Sequence, residues 1–233
     1  MIAESEDCTH NSAVFMVKKK DGTMRLVSDL RRINQLLKPF IIQLPKIDEL
    51  LNEIASQRPQ MLTSLDLYKG YYSVRLSPKT SNLTAFCSPQ TGQSFCWRVL
   101  PMGLSVSAGA FIHVVSRLFQ EKQKFSYLFY YVDDILISSS SFSEHLDHLN
   151  TMFTTFRTNS VNPTKTCVGY DELDFLGHTV SAKGVRISDS KVKAINKMTA
   201  HTNRKTLQRL LGLMQYFRRH VANYSVRTYH NNF

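Results

Sequence analysis

Two periods of hydrophobic recurrence run along the chain: alternation every second residue, as in a strand with one buried face, and recurrence every three to four residues, as in an amphipathic helix. The segment VFMVKKKDGTMRLVSDL reads as two strands around a turn at Asp21 and Gly22, since Asp-Gly supplies the backbone conformations a tight hairpin needs. Pro45 then opens a helix, KIDELLNEIA, with Ile47, Leu50, Leu51 and Ile54 on one face. LTSLDLYKGYYSVRL begins as a strand and turns near Gly70, after which its pattern fits extended and helical backbone equally. TAFCS and SFCWRVL read as strands around a turn at Pro89 to Gly92. A helix follows Pro101 and Gly103, where Phe111, Val114, Val115, Leu118 and Phe119 recur at helical spacing.

FSYLFYYVDDILIS has two apolar arms around a pair of aspartates, which predicts a hairpin with an acidic tip in solvent. The helix EHLDHLNTMFTTF is expected to bury Leu146, Leu149, Phe153 and Phe156, leaving Glu144, His145, Asp147 and His148 on its solvated face. TCVGY and LDFLGHTV form a further extended pair. The last third turns helical: Ser188 or Ser190 caps a segment through Met198, and Thr206 caps Leu207 to Val221, with a stripe of Leu207, Leu210, Leu211, Met214 and Phe217. A mixed region to about residue 180 is thus followed by a helical tail, with no internal repeat or Pro/Gly linker between them.

Composition narrows the function classes. A hydrophobic fraction of 42% with 20% charged residues is that of a globular protein. No apolar run approaches the roughly 20 residues that span a bilayer, and MIAESEDCTHNS lacks the basic and apolar regions of a signal peptide, so an intracellular protein, cytoplasmic or nuclear, is expected. The four cysteines Cys8, Cys87, Cys96 and Cys167 have no CxxC spacing, which argues against structural zinc and for reduced thiols. The charge says more. With 29 Lys plus Arg against 18 Asp plus Glu, the net +11 attracts polyanions, and nucleic acid is the first partner to test, ahead of an acidic protein or an anionic membrane surface.

Asp133 and Asp134 repel each other between their apolar arms, an arrangement that a cation would stabilise. Magnesium takes a few carboxylate oxygens and keeps sites for water and phosphate, and Asp66, flanked by Leu65 and Leu67 at the end of a strand, is the natural third ligand. Two such ions about 3.5–4 Å apart activate a hydroxyl nucleophile and neutralise a leaving pyrophosphate. A bare Asp-Asp is equally the composition of a solvated turn, so the setting must decide.

The setting resembles a known family. YVDDILIS at 131–138 is similar to the catalytic hairpin of reverse transcriptases, and LTSLDLYKGYYSVRL to their first metal-binding strand. VKKKDGTMRLVSDLRRIN, LPMGLSVSAGAF, FLGHTVSAKGV and LQRLLGLMQYFRRHVANYS resemble, in family order, the other blocks of polymerases from Gypsy-type long-terminal-repeat retrotransposons, covering about 12 to 225. The resemblance implies an α+β right-hand polymerase: fingers at 1–60 and 79–100, a ferredoxin-like palm at 61–78 and 101–180, and a partial helical thumb at 181–233, with the reverse transcriptase domain at about 12–180. It implies RNA-directed DNA synthesis from deoxynucleoside triphosphates on an RNA or DNA template–primer, two Mg2+ ions (or Mn2+) on Asp66, Asp133 and Asp134, and no membrane partner.

Further roles follow residue by residue from the resemblance. Lys19 and Arg25 match fingers residues that contact the triphosphate, a point charge and a planar fork both suited to phosphate oxygens. Tyr71 matches the aromatic gate that excludes a 2′ hydroxyl by clash. Tyr131 and Val132 match residues at the primer end, Phe175, Leu176 and Gly177 match the primer grip, and Lys165 in NPTKTC matches a lysine that protonates the leaving pyrophosphate. His178 is expected to be structural.

The family pattern is broken at three places. Met102 stands where LPxG carries Gln or Phe, so nucleotide contact there becomes packing. SVSAGAF replaces the usual TNAPATF, placing Val106 and Ala108 at its asparagine and proline, which is expected to loosen the turn into the following helix. VRTYHNNF after Tyr224 resembles nothing in the family, so the hand is expected to stop early, with an inert nucleic-acid-binding relic as the alternative to an active polymerase. Oligomeric state leaves no trace in the pattern.

Overall fold

The computed structural model describes residues 1–5, 10–19, 22–40, 42, 44–66, 70–119, 125–155, 166–197 and 204–224. Lys165, Phe156, Met198 and the VRTYHNNF tail lie outside the described residues. The chain opens with strands β1 (Ile2–Glu4), β2 (Val14–Lys18) and β3 (Met24–Ser28), then helices α1 (Arg31–Leu36) and α2 (Ile47–Ser56). Strand β4 (Met61–Asp66) leads through a 3-10 turn (Gly70–Ser73) to α3 (Pro78–Leu83), β5 (Phe86–Cys87), β6 (Ser94–Trp97) and α4 (Ser107–Leu118). The hairpin β7 (Leu128–Tyr131) and β8 (Asp134–Ser139) precedes α5 (Phe142–Thr155) and β9 (Cys167–Tyr170). Strands β10 (Glu172–Phe175), β11 (His178–Ser181) and β12 (Gly184–Ile187) follow, then α6 (Asp189–Asn196), α7 (Arg204–Tyr216) and a 3-10 turn (Arg218–His220).

The central sheet has the order β7-β8-β4-β9, all antiparallel. With α4 between β4 and β7, and α5 between β8 and β9, this is the βαββαβ arrangement expected of a ferredoxin-like palm, carrying α3, β5 and β6 as an insertion. Strands β4, β7 and β8 bury residues on both faces because both are covered, whereas the edge strand β9 is exposed throughout. Leu65, Ile135 and Ile137 pack with Phe111 and Val115 of α4 and Leu149 and Met152 of α5. Leu62, Phe129 and Leu136 face the other way, onto Leu50, Leu51 and Ile54 of α2 and Leu173, Phe175 and Val180 of β10 and β11. Fully burying three such side chains contributes about 1.5–3 kcal/mol each, so α2 is fixed to the sheet by its apolar face.

Three expectations need correction. Helix α5 buries His145, Leu149 and Met152 instead of Leu146, Leu149 and Phe153; Leu146 and Phe153 are about half exposed, at 50% and 46%. The face is turned because Thr63 and Ser139 offer His145 two hydroxyl partners beneath the helix, at 2.7 and 2.8 Å. TCVGY does not pair with LDFLGHTV: β9 joins the central sheet beside β4, while LDFLGHTV divides into β10 and β11, which form their own sheet with β12. Helix α7 starts at Arg204, so Thr206 lies inside its first turn, and of the expected stripe only Phe217 is buried. Ser188 does occupy the N-cap position of α6, but its hydroxyl meets Ser190 Oγ and no backbone amide.

Candidate active site

Strands β4 and β8 are in register from Met61–Ser139 to Asp66–Asp134, so the two aspartates are direct cross-strand partners at one end of the sheet. Paired residues project from the same face. Asp134 alternates with Ile135 and therefore shares the face of Leu136, the side on which α2 and the β10–β11 hairpin pack. The connection from β7 to β8 is the two-residue turn Val132–Asp133. Val132 has φ of 56°, a conformation that hairpin turns favour glycine for and that a β-branched residue adopts only under strain. Asp134 is exposed, whereas Asp133 is half-buried with its Oδ1 shielded from solvent, so the tip is less open than its composition suggests.

Tyr71 comes from the 3-10 turn after β4 and packs its ring on Phe111 of α4 at 5.2 Å between centroids. Burial pushes its hydroxyl above the usual phenol range, and the negative charge of Asp133 adds to the shift, so ring and carboxylate are neighbours. Asp133 lies in the turn next to the Asp66–Asp134 pair, and those two aspartates share one face of the sheet. Among the described residues, no group of three or more His, Cys, Asp or Glu side chains closes on one point as a metal cage. The three carboxylates form an oxygen-only donor set at one sheet end, which suits a hard cation that retains water and phosphate ligands better than a closed protein cage.

The β2–β3 hairpin carries Lys19 and Arg25, both exposed. The backbone amide of Lys19 donates to Thr23 O at 2.8 Å, closing the turn. Arg25 reaches across to the LPMG segment, where its Nη1 donates to Met102 Sδ at 3.4 Å, so Met102 retains a polar contact through its soft sulfur as well as packing. The segment does not loosen. Asn34 Nδ2 donates to Gly103 O at 2.9 Å, the Ser105 amide donates to Asn34 Oδ1 at 2.8 Å, and Ser107 Oγ donates to Pro101 O at 2.7 Å. Gly109, in the altered SVSAGAF, has Phe40 so close that a Cβ would sit 2.8 Å from its ring, and the room left by glycine is filled.

Phe175, Leu176 and Gly177 lie at the end of β10 and in the turn to β11, with Phe175 buried. His178 Nδ1 donates to Leu176 O at 2.9 Å, as suits a structural histidine. Tyr216, at the end of α7, donates to the same carbonyl at 2.7 Å. Burial raises the Tyr216 hydroxyl, with smaller contributions from Tyr131, Asp134 and Asp48. The pattern of the chain does not single out Asn34, His145 or Tyr216. Asn34 sits in a helix too short for periodicity, His145 falls where helical spacing assigns residues to solvent, and Tyr216 meets a partner 40 residues away. A cleft of about 750 Å³ lined by His10, Asn11, Asp29, Arg31 and Arg32 lies elsewhere, and no aspartate of the trio lines it.

Residues 17–180 match the family model described as reverse transcriptase (RNA-dependent DNA polymerase). The chain belongs to the reverse transcriptase family. Relatives include the Tf2-3 and Tf2-7 transposon polyproteins of Schizosaccharomyces pombe, each 30% identical over 218 residues, or 93% of this chain. The chain spans 16% of the length of those relatives. Among solved structures, a foamy viral protease-reverse transcriptase in complex with double-stranded DNA superimposes with a TM-score of 0.82 at 26% identity, covering 96% of this chain and 38% of that one. The foamy viral enzyme with an RNA/DNA hybrid gives 0.74 at 26% identity, covering 92% and 28%. Family and α+β polymerase fold therefore agree with the reading of the motifs. No helix of the described residues is long and apolar enough to cross a membrane.

Proposed function

We propose that this chain is the polymerase part of a retroelement reverse transcriptase, adding deoxynucleotides to a primer on an RNA or DNA template. The observation that carries the proposal is the register of Asp66 against Asp134, with Asp133 beside them in a strained two-residue turn, within a chain of this family. Asp66, Asp133 and Asp134 would hold divalent cations, Mg2+ foremost. Such ions, when bound, supply charge neutralisation of the triphosphate and acidify the primer hydroxyl.

The chain's own residues then bind and orient. Lys19 and Arg25 face the triphosphate with charge, Met102 tethers Arg25 at the LPMG segment, and Tyr71 lies under the sugar as a gate against ribonucleotides. Tyr131, Val132 and the Phe175–Gly177 turn hold the primer end, and Lys165 protonates the leaving pyrophosphate. The net +11 supplies nonspecific attraction to template–primer. In this reading the fingers comprise 1–60 and 79–100, the palm 61–78 and 101–187, and the thumb begins at Ser188. We place the palm boundary past the expected residue 180 so that β12 stays with the strand it pairs with, β11.

The test is primer extension on RNA and DNA templates with the wild-type chain and with Asp133→Asn and Asp134→Asn. Each substitution is expected to lower extension by about three orders of magnitude, as loss of a charge that stabilises a phosphoryl transition state does. Survival of extension in both variants would show that these carboxylates are not the site. Binding of template–primer by a wild-type chain that extends nothing would favour the inert relic.

A further inference from the structure

The turn between β10 and β11 is held from outside its own sheet. Leu176 and Gly177 both adopt left-handed backbone, at φ of 49° and 74°, the pair of conformations a type I′ hairpin turn requires. Glycine takes this conformation freely, whereas leucine takes it only at a cost. Two donors converge on the carbonyl of Leu176: Tyr216 Oη at 2.7 Å and His178 Nδ1 at 2.9 Å. A carbonyl can only accept, so His178 carries a proton on Nδ1 and both lone pairs of the carbonyl are engaged. On the far side of the turn, the Ser188 amide donates to Gly177 O at 3.1 Å.

Tyr216 is itself fixed. Its ring meets Phe217 edge to face at 4.8 Å, and Phe217 is 2% exposed against Gly177 and His178. Arg219 ties the following turn to α2 through Asn52 Oδ1 at 2.8 Å and lies 3.7 Å from Asp48. The hydroxyl is therefore held in place against the Leu176–Gly177 turn.

We propose that Tyr216 is a positioning residue for nucleotide addition: through the Leu176 carbonyl it sets the place of the Leu176–Gly177 turn, and with it the primer's 3′ terminus, over the Asp66–Asp134 end of the sheet. Without this donor the 176–177 peptide has one fewer restraint against rotating toward a less strained turn. Displacement of a reacting end by about 1 Å is enough to slow a reaction a hundredfold. The proposal rests on the polymerase reading above.

Tyr216→Phe removes one hydroxyl and keeps the ring packing. Two measurements on the full chain decide the matter. Hydrogen exchange of the amides from Leu176 to Thr179, without nucleic acid, is expected to quicken about tenfold on loss of one hydrogen bond. In pre-steady-state primer extension, the burst rate is expected to fall about tenfold while burst amplitude, which counts competent enzyme, and template–primer affinity stay within about twofold. Unchanged exchange overturns the proposal, as does faster exchange with an unchanged burst rate. Reduced amplitude at an unchanged rate also overturns it, because the hydroxyl would then matter only for folding. A wild-type chain that binds template–primer but shows no burst fails the polymerase reading itself, a result recognisable because it precedes any substitution, and the proposal falls with it.

Discussion

Replacing His145 by leucine tests how α5 is joined to the strands that carry the aspartates. The ring is 1% exposed and bridges two buried hydroxyls, Thr63 Oγ1 on β4 and Ser139 Oγ on β8. Each hydroxyl has a second partner: Thr63 Oγ1 accepts from the Gly169 amide at 3.1 Å, and Ser139 Oγ hydrogen-bonds with His148 Nδ1 at 2.8 Å. Leucine has nearly the volume of the ring and leaves little cavity, so the cost is that of two buried hydroxyls each losing one partner. Since each hydroxyl retains another, the low end of the usual 1–3 kcal/mol applies to both, for a total of about 2–3 kcal/mol. With a urea m-value of roughly 2–3 kcal/mol/M, the midpoint of unfolding should fall by about 1 M. Thr63→Val made together with His145→Leu should recover about 1 kcal/mol relative to the sum of the single changes, because the hydroxyl that had lost a partner is then gone.

The same ring has a pH signature. Burial, then the neighbouring His148, holds His145 below its ordinary value of 6.5. The unfolded chain therefore takes up the proton first as pH falls, and the stability owed to the neutral ring is complete above about 6.5 and lost as the pH drops through the lower folded value. His148, His178 and His220 are shifted the same way, burial being the leading cause in each. Stability of the wild type should thus decline as pH falls from about 6.5 toward 5, and His145→Leu should make that slope shallower. A midpoint shift under about 0.2 M at pH 7.5, or an unaltered slope in acid, would refute the bridge.

Val132→Gly should relieve the left-handed strain and raise stability by up to about 1 kcal/mol in thermal unfolding, less what glycine's freedom in the unfolded chain takes back, while slowing primer extension. Tyr71→Ala should raise incorporation of ribonucleotides relative to deoxynucleotides by about 10–100-fold in competition assays, the discrimination one steric contact supplies, and should also lower stability through loss of the Phe111 contact. Asn34→Ala removes both restraints on the Gly103–Ser105 segment and should raise the KM for deoxynucleotide more than it lowers kcat, at a stability cost of about 1 kcal/mol because water replaces exposed hydrogen bonds.

Much of the palm was legible because its elements are long enough to show their period. Helix α2 buries Leu50, Leu51 and Ile54 as its spacing implies, and the apolar arms of β7 and β8 read as a hairpin because both faces of that sheet are covered. Helices α1 and α3 have six residues each, under two turns, and so display no stripe. Helix α5 misleads for a different reason: hydrophobic period assigns polar residues to solvent, and it cannot register two buried hydroxyls waiting for a histidine. The trio of aspartates is legible as chemistry, yet the pairing of Asp66 with Asp134 follows from register, and Asp133 sits in a turn conformation that valine does not advertise.

The places where local preference and structure disagree are themselves informative. Among the described residues, four non-glycine residues have left-handed φ: Arg58, Val132, Leu176 and Asn223. Asparagine tolerates that conformation, whereas a β-branched valine and a leucine do not, and these two are the turn residues flanking the candidate active site. Strain of this kind persists only where the surroundings over-determine the backbone. For Val132 the surroundings are four register pairs between β7 and β8 and the fully buried Ile135, Leu136 and Ile137, which forbid the hairpin from slipping. For Leu176 they are the convergent donors Tyr216 and His178. Rigid sheet around Val132 and a docked helix beside Leu176 thus hold two unfavourable turns in place, the first of them adjoining the register that brings Asp66 opposite Asp134.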